Sequence, residues 1–216
     1  MNRTGIVRTA TVAGVAAALS LAAVVPALAA PADPVTTAAD LNGDGELETV
    51  TARQVGDDQL ISATVNGSYT SIHLPADSQF GVEAPRVTDL NGDGRAELIV
   101  TQSVGANTTF FSALHFDGRN LGPVVGPDDQ PFSLAEGGGV AAHLGYACTP
   151  FEGGRAFVVV ASENDDVSRP TDRFTYSGTR TVYTLRDGAL SVQESTPITA
   201  RPANDPLLAV DAGSCA

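Results

Sequence analysis

The sequence contains no lysine, so its positive charge comes from twelve arginines alone. Against them stand 25 aspartates and glutamates, and the formal net charge is −13 over 216 residues. A surface of this charge repels phosphate backbones, which argues against nucleic acid as a partner. The same surface attracts divalent cations.

Histidine is scarce, and the common catalytic motifs are missing. His73, His115 and His143 are far apart, and no His/Cys spacing resembles a pair of zinc ligands. There is no Gly-x-Ser-x-Gly, no His-Glu-x-x-His and no glycine loop followed by Lys-Ser/Thr. The run Gly137-Gly138-Gly139 therefore reads as a flexible link. We expect no catalytic residues and no enzymatic activity.

Only two cysteines occur, Cys148 and Cys215. In an exported protein the pair predicts one disulfide. For a loop of this length the bridge would stabilise the fold by roughly 4 kcal/mol in the chain-entropy model. Two unpaired thiols are the alternative. A bridge would tie down residues 199–216, which are rich in proline and predicted to form an irregular C-terminal tail.

Residues 1–29 predict a secretory signal peptide. A basic start with Arg3 and Arg8 precedes the apolar run Val12 to Val25, and a small-x-small cleavage pattern ends at Ala29. The alternative is an uncleaved anchor, because the run is almost long enough to span a bilayer. Cleavage would leave 187 residues, enough for one domain with a sizeable core. We expect that domain to be secreted and, after cleavage, free of the membrane.

One nine-residue pattern occurs twice. Asp40 to Glu48 reads DLNGDGELE, and Asp89 to Glu97 reads DLNGDGRAE. Both copies place oxygen-bearing side chains at positions 1, 3, 5 and 9, a glycine at position 6 and an available carbonyl at position 7. This spacing wraps a short loop around a hard cation. The doubled pattern predicts two calcium sites, and an Asp/Asn/Gly-rich turn without metal is the alternative.

The rest of the chain has an all-β pattern, with no sustained 3.6-residue apolar period that would predict a long helix. Asn66-Gly67 predicts a two-residue hairpin turn, and Asp117-Gly118 marks the corresponding turn of the second unit. The predicted strands are Leu47 to Ala52, Gln59 to Val65, Tyr69 to Leu74, Ala96 to Gln102, Thr108 to Phe116 and Leu121 to Val125.

These strands group into repeats. We predict a disordered segment 30–34 and then a β-repeat domain, 35–198, with units at about 35–85, 86–126 and 140–198. Residues 126–145 include the long connection between units two and three. Antiparallel repeats of about 50 residues predict three to four propeller-blade-like units. They would form a small or incomplete β-propeller, or alternatively a β-sandwich-like stack.

The third unit is traced from weaker signals. Gly154 to Val160 aligns with Gly94 to Val100, and Asp187-Gly188 repeats the later turn. In this alignment Thr149, Phe151, Gly153 and Phe157 stand at the ligand positions, so we expect no cation site in unit three.

Helical calcium-binding folds do not fit the two loops. An EF-hand or dockerin loop needs a carboxylate at position 12 and a helix after it. Position 12 is Thr51 in the first loop and Val100 in the second, and β-branched sequence follows both.

The segment VTDLNGDGRAELIV, Val87 to Val100, resembles the loop of FG-GAP/VCBS repeats, the integrin-like β-propeller blades of many secreted bacterial proteins. The resemblance covers about residues 35–195 and implies two structural Ca²⁺ ions. It departs from the family in having Glu at position 9 and too few units for a full integrin-like propeller. The implied ligands are Asp40, Asn42, Asp44, Glu46 (through its carbonyl) and Glu48 in the first loop, and Asp89, Asn91, Asp93, Arg95 (through its carbonyl) and Glu97 in the second.

We therefore expect a secreted, calcium-binding, non-enzymatic β-repeat protein. By resemblance it would serve as an extracellular binding or adhesion module for a protein or a glycan. An extracellular hydrolase with an unrecognised carboxylate site and a purely structural envelope protein are the alternatives.

Overall fold

The computed structural model describes residues 33–77 and 80–216. The predicted signal peptide and residues 30–32 of the segment predicted to be disordered lie outside these residues. No helix in the described part of the chain is long and apolar enough to cross a bilayer. The strands are β1 (Val35–Ala39), β2 (Glu48–Val55), β3 (Asp58–Val65), β4 (Ser68–Pro75), β5 (Arg86–Thr88), β6 (Glu97–Val104), β7 (Thr108–Phe116), β8 (Leu121–Pro123), β9 (Ser133–Gly137), β10 (Ala142–Phe151), β11 (Gly154–Asn164), β12 (Thr175–Arg186) and β13 (Ala189–Pro202), and the 3₁₀ helices are Thr171–Arg173, Pro206–Leu208 and Ala212–Cys215.

The strands form two antiparallel sheets, which confirms the all-β prediction. The first sheet has the order β1-β2-β3-β4. The second begins with β5-β6-β7, continues through β9 to β10-β11-β12-β13, and carries β8 beside β7. Strands β1–β4, β5–β8 and β10–β13 are thus three successive antiparallel groups, called units one, two and three below. Units two and three share one sheet because β9 joins them.

The residues of the turns determine the length and geometry of the hairpins. Asn66-Gly67 joins β3 to β4, and both residues have positive φ, 50° and 76°. This is the two-residue turn whose twist matches that of the paired strands. The Asp117-Gly118 turn is longer, because Phe116 pairs with Leu121 and four residues lie between them.

Unit two is buried on both faces. Leu98 and Leu114 are fully buried in the apolar cluster shared with unit one. Ile99 and Phe111, on the opposite faces of the same strands, are buried in a second cluster with unit three. Because both faces of β6 and β7 pack against protein, both strands contain consecutive buried apolar residues, Leu98 to Val100 in β6 and Ala113-Leu114 in β7. Burying one such side chain contributes roughly 1.5–3 kcal/mol.

The long connection between units two and three contains β9. Its five residues pair with β7 from Thr108↔Gly137 to Ser112↔Ser133. The glycine run predicted as a flexible link instead forms the corner between β9 and β10, with φ of 104°, 101° and 57°. A Cβ at Gly137 would overlap the carbonyl of Asn107, so the corner requires a residue without a side chain.

The C-terminal region is partly regular. Strand β13 continues to Pro202, beyond the boundary predicted at residue 198. Two short 3₁₀ helices follow, and the last of them, Ala212–Cys215, packs against β10.

Candidate metal centre

Both Asp-x-Asn-x-Asp-Gly segments connect the first two strands of a unit. Loop 1, residues 40–48, joins β1 to β2, which pair at Ala39↔Glu48. Loop 2, residues 89–97, joins β5 to β6, which pair at Thr88↔Glu97. The position-9 glutamate is therefore the first residue of the following strand in both loops, as the β-branched sequence after it indicated.

The position-1 aspartate organises each loop. Its Oδ1 accepts hydrogen bonds from the main-chain amides of positions 4 and 5, and its Oδ2 accepts one from position 6. In loop 1 these three distances from Asp40 are 2.7, 3.2 and 2.9 Å. In loop 2 the same three from Asp89 are 2.6, 3.2 and 3.2 Å. One carboxylate thus holds the whole turn together in both copies.

The remaining predicted side-chain ligands repeat as well. Asn42 and Asn91 each accept a hydrogen bond at Oδ1 from the position-5 amide and donate one to the position-5 carboxylate. That carboxylate accepts from the position-7 amide. The position-9 Glu Oε2 accepts from the position-2 amide at 2.9 Å in loop 1 and 2.8 Å in loop 2. All seven internal hydrogen bonds of loop 1 therefore recur in loop 2.

The chemistry of the donors fits a hard cation. Each loop offers two aspartates, one asparagine, one glutamate and a main-chain carbonyl, and oxygen atoms are the ligands that Ca²⁺ prefers. A carboxylate has about four lone-pair sites, so oxygens that accept an amide hydrogen can still bind a cation. As the side chains are placed, no three His, Cys, Asp or Glu in residues 33–77 and 80–216 converge into a metal-binding group. The fit therefore rests on donor type and loop spacing.

The two loops differ in burial at position 9. Glu97 is only 4% exposed, whereas Glu48 is partly exposed. The pKa of Glu97 is raised from 4.5 to about 8: burial is the largest cause, the charges of Asp93 and Asp89 act in the same direction, and the hydrogen bond from Leu90 opposes the shift. A buried carboxylate beside two others is unfavourable unless an opposite charge compensates it.

Each loop also contacts the next unit. The Asp40 carbonyl accepts a hydrogen bond from the Ala96 amide at 2.7 Å, and the Asn91 carbonyl accepts one from the Arg155 amide at 2.8 Å. The position-4 glycines make a second matched contact. A Cβ at Gly43 would lie 3.0 Å from Arg95 Cγ, and one at Gly92 would lie 3.1 Å from Arg155 N. The loops are therefore joints between units, which the loop motif alone did not predict.

Unit three has no such loop. Strands β10 and β11 are joined by the two-residue turn Glu152-Gly153, with φ of 46° and 86°. Thr149 and Phe151 lie on β10, and Phe157 lies on β11. The residues aligned with the ligand positions are thus parts of a tight hairpin.

The predicted disulfide between Cys148 and Cys215 is confirmed, with a Cα–Cα distance of 4.9 Å. It links β10 to the C-terminal 3₁₀ helix. The Cys215 carbonyl accepts hydrogen bonds from the Asp89 amide at 2.9 Å and from Arg155 Nη1 at 3.2 Å. Arg155 Nη1 also donates to the Asp89 carbonyl at 3.1 Å. The bridge is therefore adjacent to loop 2, although 58 residues separate Cys148 from Leu90 and Cys215 lies still further along the chain.

A polar cavity of about 110 Å³ lies between loop 2 and the turns that follow β7 and β12. Typical sites for small molecules measure about 300–1,000 Å³. Burial lowers the pKa of the His115 imidazole, although Asp117 and Asp187 act in the opposite direction. The titratable residues lining the cavity are Asp93, Arg95, Glu97, His115, Asp117 and Asp187.

The chain was compared with protein-family models, curated proteins and solved structures, and only the family models gave a match. No curated protein and no solved structure matches the chain significantly. Residues 38–100, which contain both loops, match the family model of the FG-GAP-like repeat. The match covers less than half of the chain, and within it the protein is similar to FG-GAP-like repeats.

Proposed function

We propose that this protein is a secreted β-repeat module in which two Ca²⁺ ions, one in each loop, stabilise the joints between repeat units. The observation that carries the proposal is the recurrence of the same seven hydrogen bonds in loops 1 and 2. Each loop holds five oxygen donors in a fixed turn. A cation there would also fix the carbonyl that the next unit uses as an acceptor.

Charge supports the same proposal. The chain carries 25 acidic residues against 12 basic ones, and Glu97 is buried beside two other carboxylates. Calcium would compensate this local repulsion. Extracellular calcium modules commonly bind with dissociation constants of about 10⁻⁴–10⁻³ M, and we expect this range here.

Thermal unfolding with and without calcium tests the proposal. A ligand at tenfold excess over its dissociation constant adds about 1.4 kcal/mol per site, and 1 kcal/mol shifts Tm by about 2–4 °C for a domain of this size. Calcium should therefore raise Tm by several degrees over chelator-treated protein at matched ionic strength. An unchanged Tm, together with no heat of binding at millimolar Ca²⁺, would contradict the proposal.

Two variants and one control assign the effect to the loops. Asp40→Ala and Asp89→Ala should each remove about half of the calcium-dependent Tm shift. Asp57→Ala makes the same charge change in an exposed turn at the opposite end of unit one, and it should keep the whole shift. If Asp57→Ala reduces the shift as much as the loop variants do, calcium acts through general charge screening instead.

We further propose that the module is non-enzymatic and binds an extracellular protein or glycan through the outer face of the first sheet. This face has a groove of about 450 Å³ with Leu47 and Tyr69 each 66% exposed. Hydroxyl side chains line one row across all four strands, through the pairs Thr36↔Thr51, Thr51↔Ser62 and Ser62↔Ser71. Tyrosine is enriched at binding interfaces, and hydroxyl side chains can both donate and accept hydrogen bonds to a polar ligand.

Capture on immobilised glycans and on extracellular protein fractions tests this binding role. Tyr69→Ala should reduce the captured fraction several-fold. Phe110→Ala removes another exposed aromatic ring, 46% exposed and on a different strand, and should not. Equal capture of wild type and Tyr69→Ala would exclude this face.

A further inference from the structure

The Cys148–Cys215 disulfide lies against loop 2. Cys215 is fully buried in the apolar cluster that also contains Leu90, the position-2 residue of loop 2. The Cys215 carbonyl accepts the hydrogen bond of the Asp89 amide at 2.9 Å. Cys148 Sγ lies 3.9 Å from the Leu90 carbonyl oxygen. Both halves of the disulfide therefore touch the main chain of loop 2.

Loop 1 provides the matched comparison within the same molecule. It has the same internal hydrogen bonds, and its position-2 residue, Leu41, is buried in the other cluster, between units one and two. Within residues 33–77 and 80–216, loop 1 makes no hydrogen bond to either cysteine. The two loops thus share a motif and its internal hydrogen bonds but differ in the residues that contact them.

We propose that the Cys148–Cys215 disulfide is energetically coupled to cation binding at loop 2 and is not coupled to loop 1. This inference rests on the proposed calcium function. The bridge fixes the C-terminal 3₁₀ helix to β10, the helix holds the Asp89 amide, and the Asp89 carboxylate orders the turn. With the bridge intact, loop 2 is already ordered when the ion arrives. Without it, part of the binding free energy goes into ordering the loop and the helix.

Coupling between two sites is reciprocal. An ion in loop 2 should therefore protect the disulfide. Cys215 is fully buried and Cys148 is partly buried, so an external dithiolate reaches the bridge more easily once the 3₁₀ helix opens. Reduction by dithiothreitol breaks the S–S bond, forms two thiols on the protein and oxidises the reagent to its cyclic disulfide. Calcium in loop 2 should slow this exchange because it stabilises the closed helix.

The test uses two single-site proteins. Asp40→Asn with Asp44→Asn disables loop 1 and leaves loop 2 as the only site, and Asp89→Asn with Asp93→Asn does the reverse. Each protein is prepared with the native cysteines and with Cys148→Ala/Cys215→Ala, and folding is checked by circular dichroism. Titration calorimetry with CaCl₂ then gives the dissociation constants. Removing the bridge should weaken loop 2 by about tenfold, within the usual range for coupled sites, and should change loop 1 by less than about twofold.

Reduction kinetics provide the second readout, which also serves if the cysteine-free proteins do not fold. Saturating Ca²⁺ should slow thiol release by dithiothreitol severalfold in the protein that keeps loop 2 and leave the rate unchanged in the protein that keeps loop 1. Equal effects in both proteins, or no effect in either while calcium binds, would overturn the coupling but not the calcium function. Absence of calcium binding in both disulfide-containing proteins would overturn the calcium function itself.

Discussion

The Arg155 guanidinium donates a hydrogen bond from Nη1 to the carbonyl oxygen of Asp89, 3.1 Å away. Arg155 is the second residue of β11, the outgoing strand of the unit-three hairpin, and Asp89 is the first residue of loop 2 in unit two. The same Nη1 reaches the carbonyl of Cys215, so one side chain joins the loop, the next unit and the C-terminal 3₁₀ helix. Substitutions of Arg155 should therefore lower the free energy of unfolding.

Arg155→Ala should lower the free energy of unfolding by about 1.5–3 kcal/mol, because hydrogen bonds to a charged group are worth that much and the Asp89 and Cys215 carbonyls both lose the guanidinium donor. Arg155→Lys should recover only part, since an ammonium cannot reproduce the planar guanidinium. Urea unfolding measures both. Arg169→Ala, which breaks an exposed pair with Asp166, should cost about 0–1 kcal/mol. If Arg155→Ala lowers the free energy of unfolding no more than Arg169→Ala does, then Arg155 does not stabilise the contact between loop 2 and unit three.

Gly92→Ala should destabilise the protein more than Gly94→Ala. Both glycines have positive φ, 76° and 82°, so both variants carry the same left-handed backbone cost. Only at Gly92 would the new Cβ meet the main chain of Arg155, whereas nothing lies within 4 Å at Gly94. We expect an additional loss of about 1 kcal/mol or more from this overpacking.

Urea midpoints in chelator isolate this packing effect from cation binding. The corresponding change in loop 1, Gly43→Ala, should show a smaller additional loss, because its neighbour is the flexible side chain of Arg95. Equal midpoints for Gly92→Ala and Gly94→Ala would mean that the joint between units two and three tolerates the extra methyl group.

Glu97→Gln should have opposite effects with and without calcium. In chelator it removes a buried carboxyl whose pKa is raised from 4.5 to about 8, so stability should rise by roughly 1–3 kcal/mol. A carboxyl with a raised folded-state pKa contributes stability that is complete at low pH and is lost as the pH rises towards 8. The gain should therefore be larger at pH 8 than at pH 5.

In calcium the same substitution removes a proposed ligand and should lower the calcium-dependent Tm shift. Glu48→Gln in the more exposed loop 1 should lower that shift too, but without the gain in chelator. Thermal melts of both variants at the two pH values provide the measurement. A Glu97→Gln protein that melts lower than wild type in chelator at pH 8 would contradict this account.

Gly188→Ala should cost clearly more than Gly67→Ala. Each glycine is the second residue of a two-residue turn, with φ of 77° and 76°. A Cβ at Gly188 would overlap the His115 ring, whereas a Cβ at Gly67 would have no neighbour within 4 Å. The double variant His115→Ala/Gly188→Ala should recover part of the loss, which a double-mutant cycle of urea midpoints can measure. Additive single effects would show that the ring moves aside freely.

Features set by neighbouring residues were predictable from sequence. The Asn66-Gly67 turn needs positive φ at both positions, and that requirement is visible in two letters. Strand β7 was predicted with its observed ends, Thr108–Phe116, because β-branched and aromatic residues fill it. The loops were predictable for the same reason, since the hydrogen bonds that the Asp40 carboxylate accepts span only three to five residues.

Apart from the disulfide between the two cysteines, features set by distant partners were not predictable. The sequence of β9, Ser133–Gly137, has weak strand propensity, and the strand forms because β7 supplies a free edge beside it. Arg155 lies 66 residues from the Asp89 carbonyl that it binds. Its alignment with Arg95 was visible, but the contact depends on how consecutive units stack. Stacking is a property of the assembled sheets rather than of any one segment.

Because unit two is buried on both faces, it affects both the order of unfolding and the positions where the chain can change in length. Unit two contributes to both apolar clusters that lie between units, so its unfolding would expose both at once, whereas loss of unit one or unit three exposes only one of these two clusters. In a stack of this kind stability is shared between neighbours. The middle unit is therefore the indispensable one, and changes in length are best tolerated at the two ends of the array.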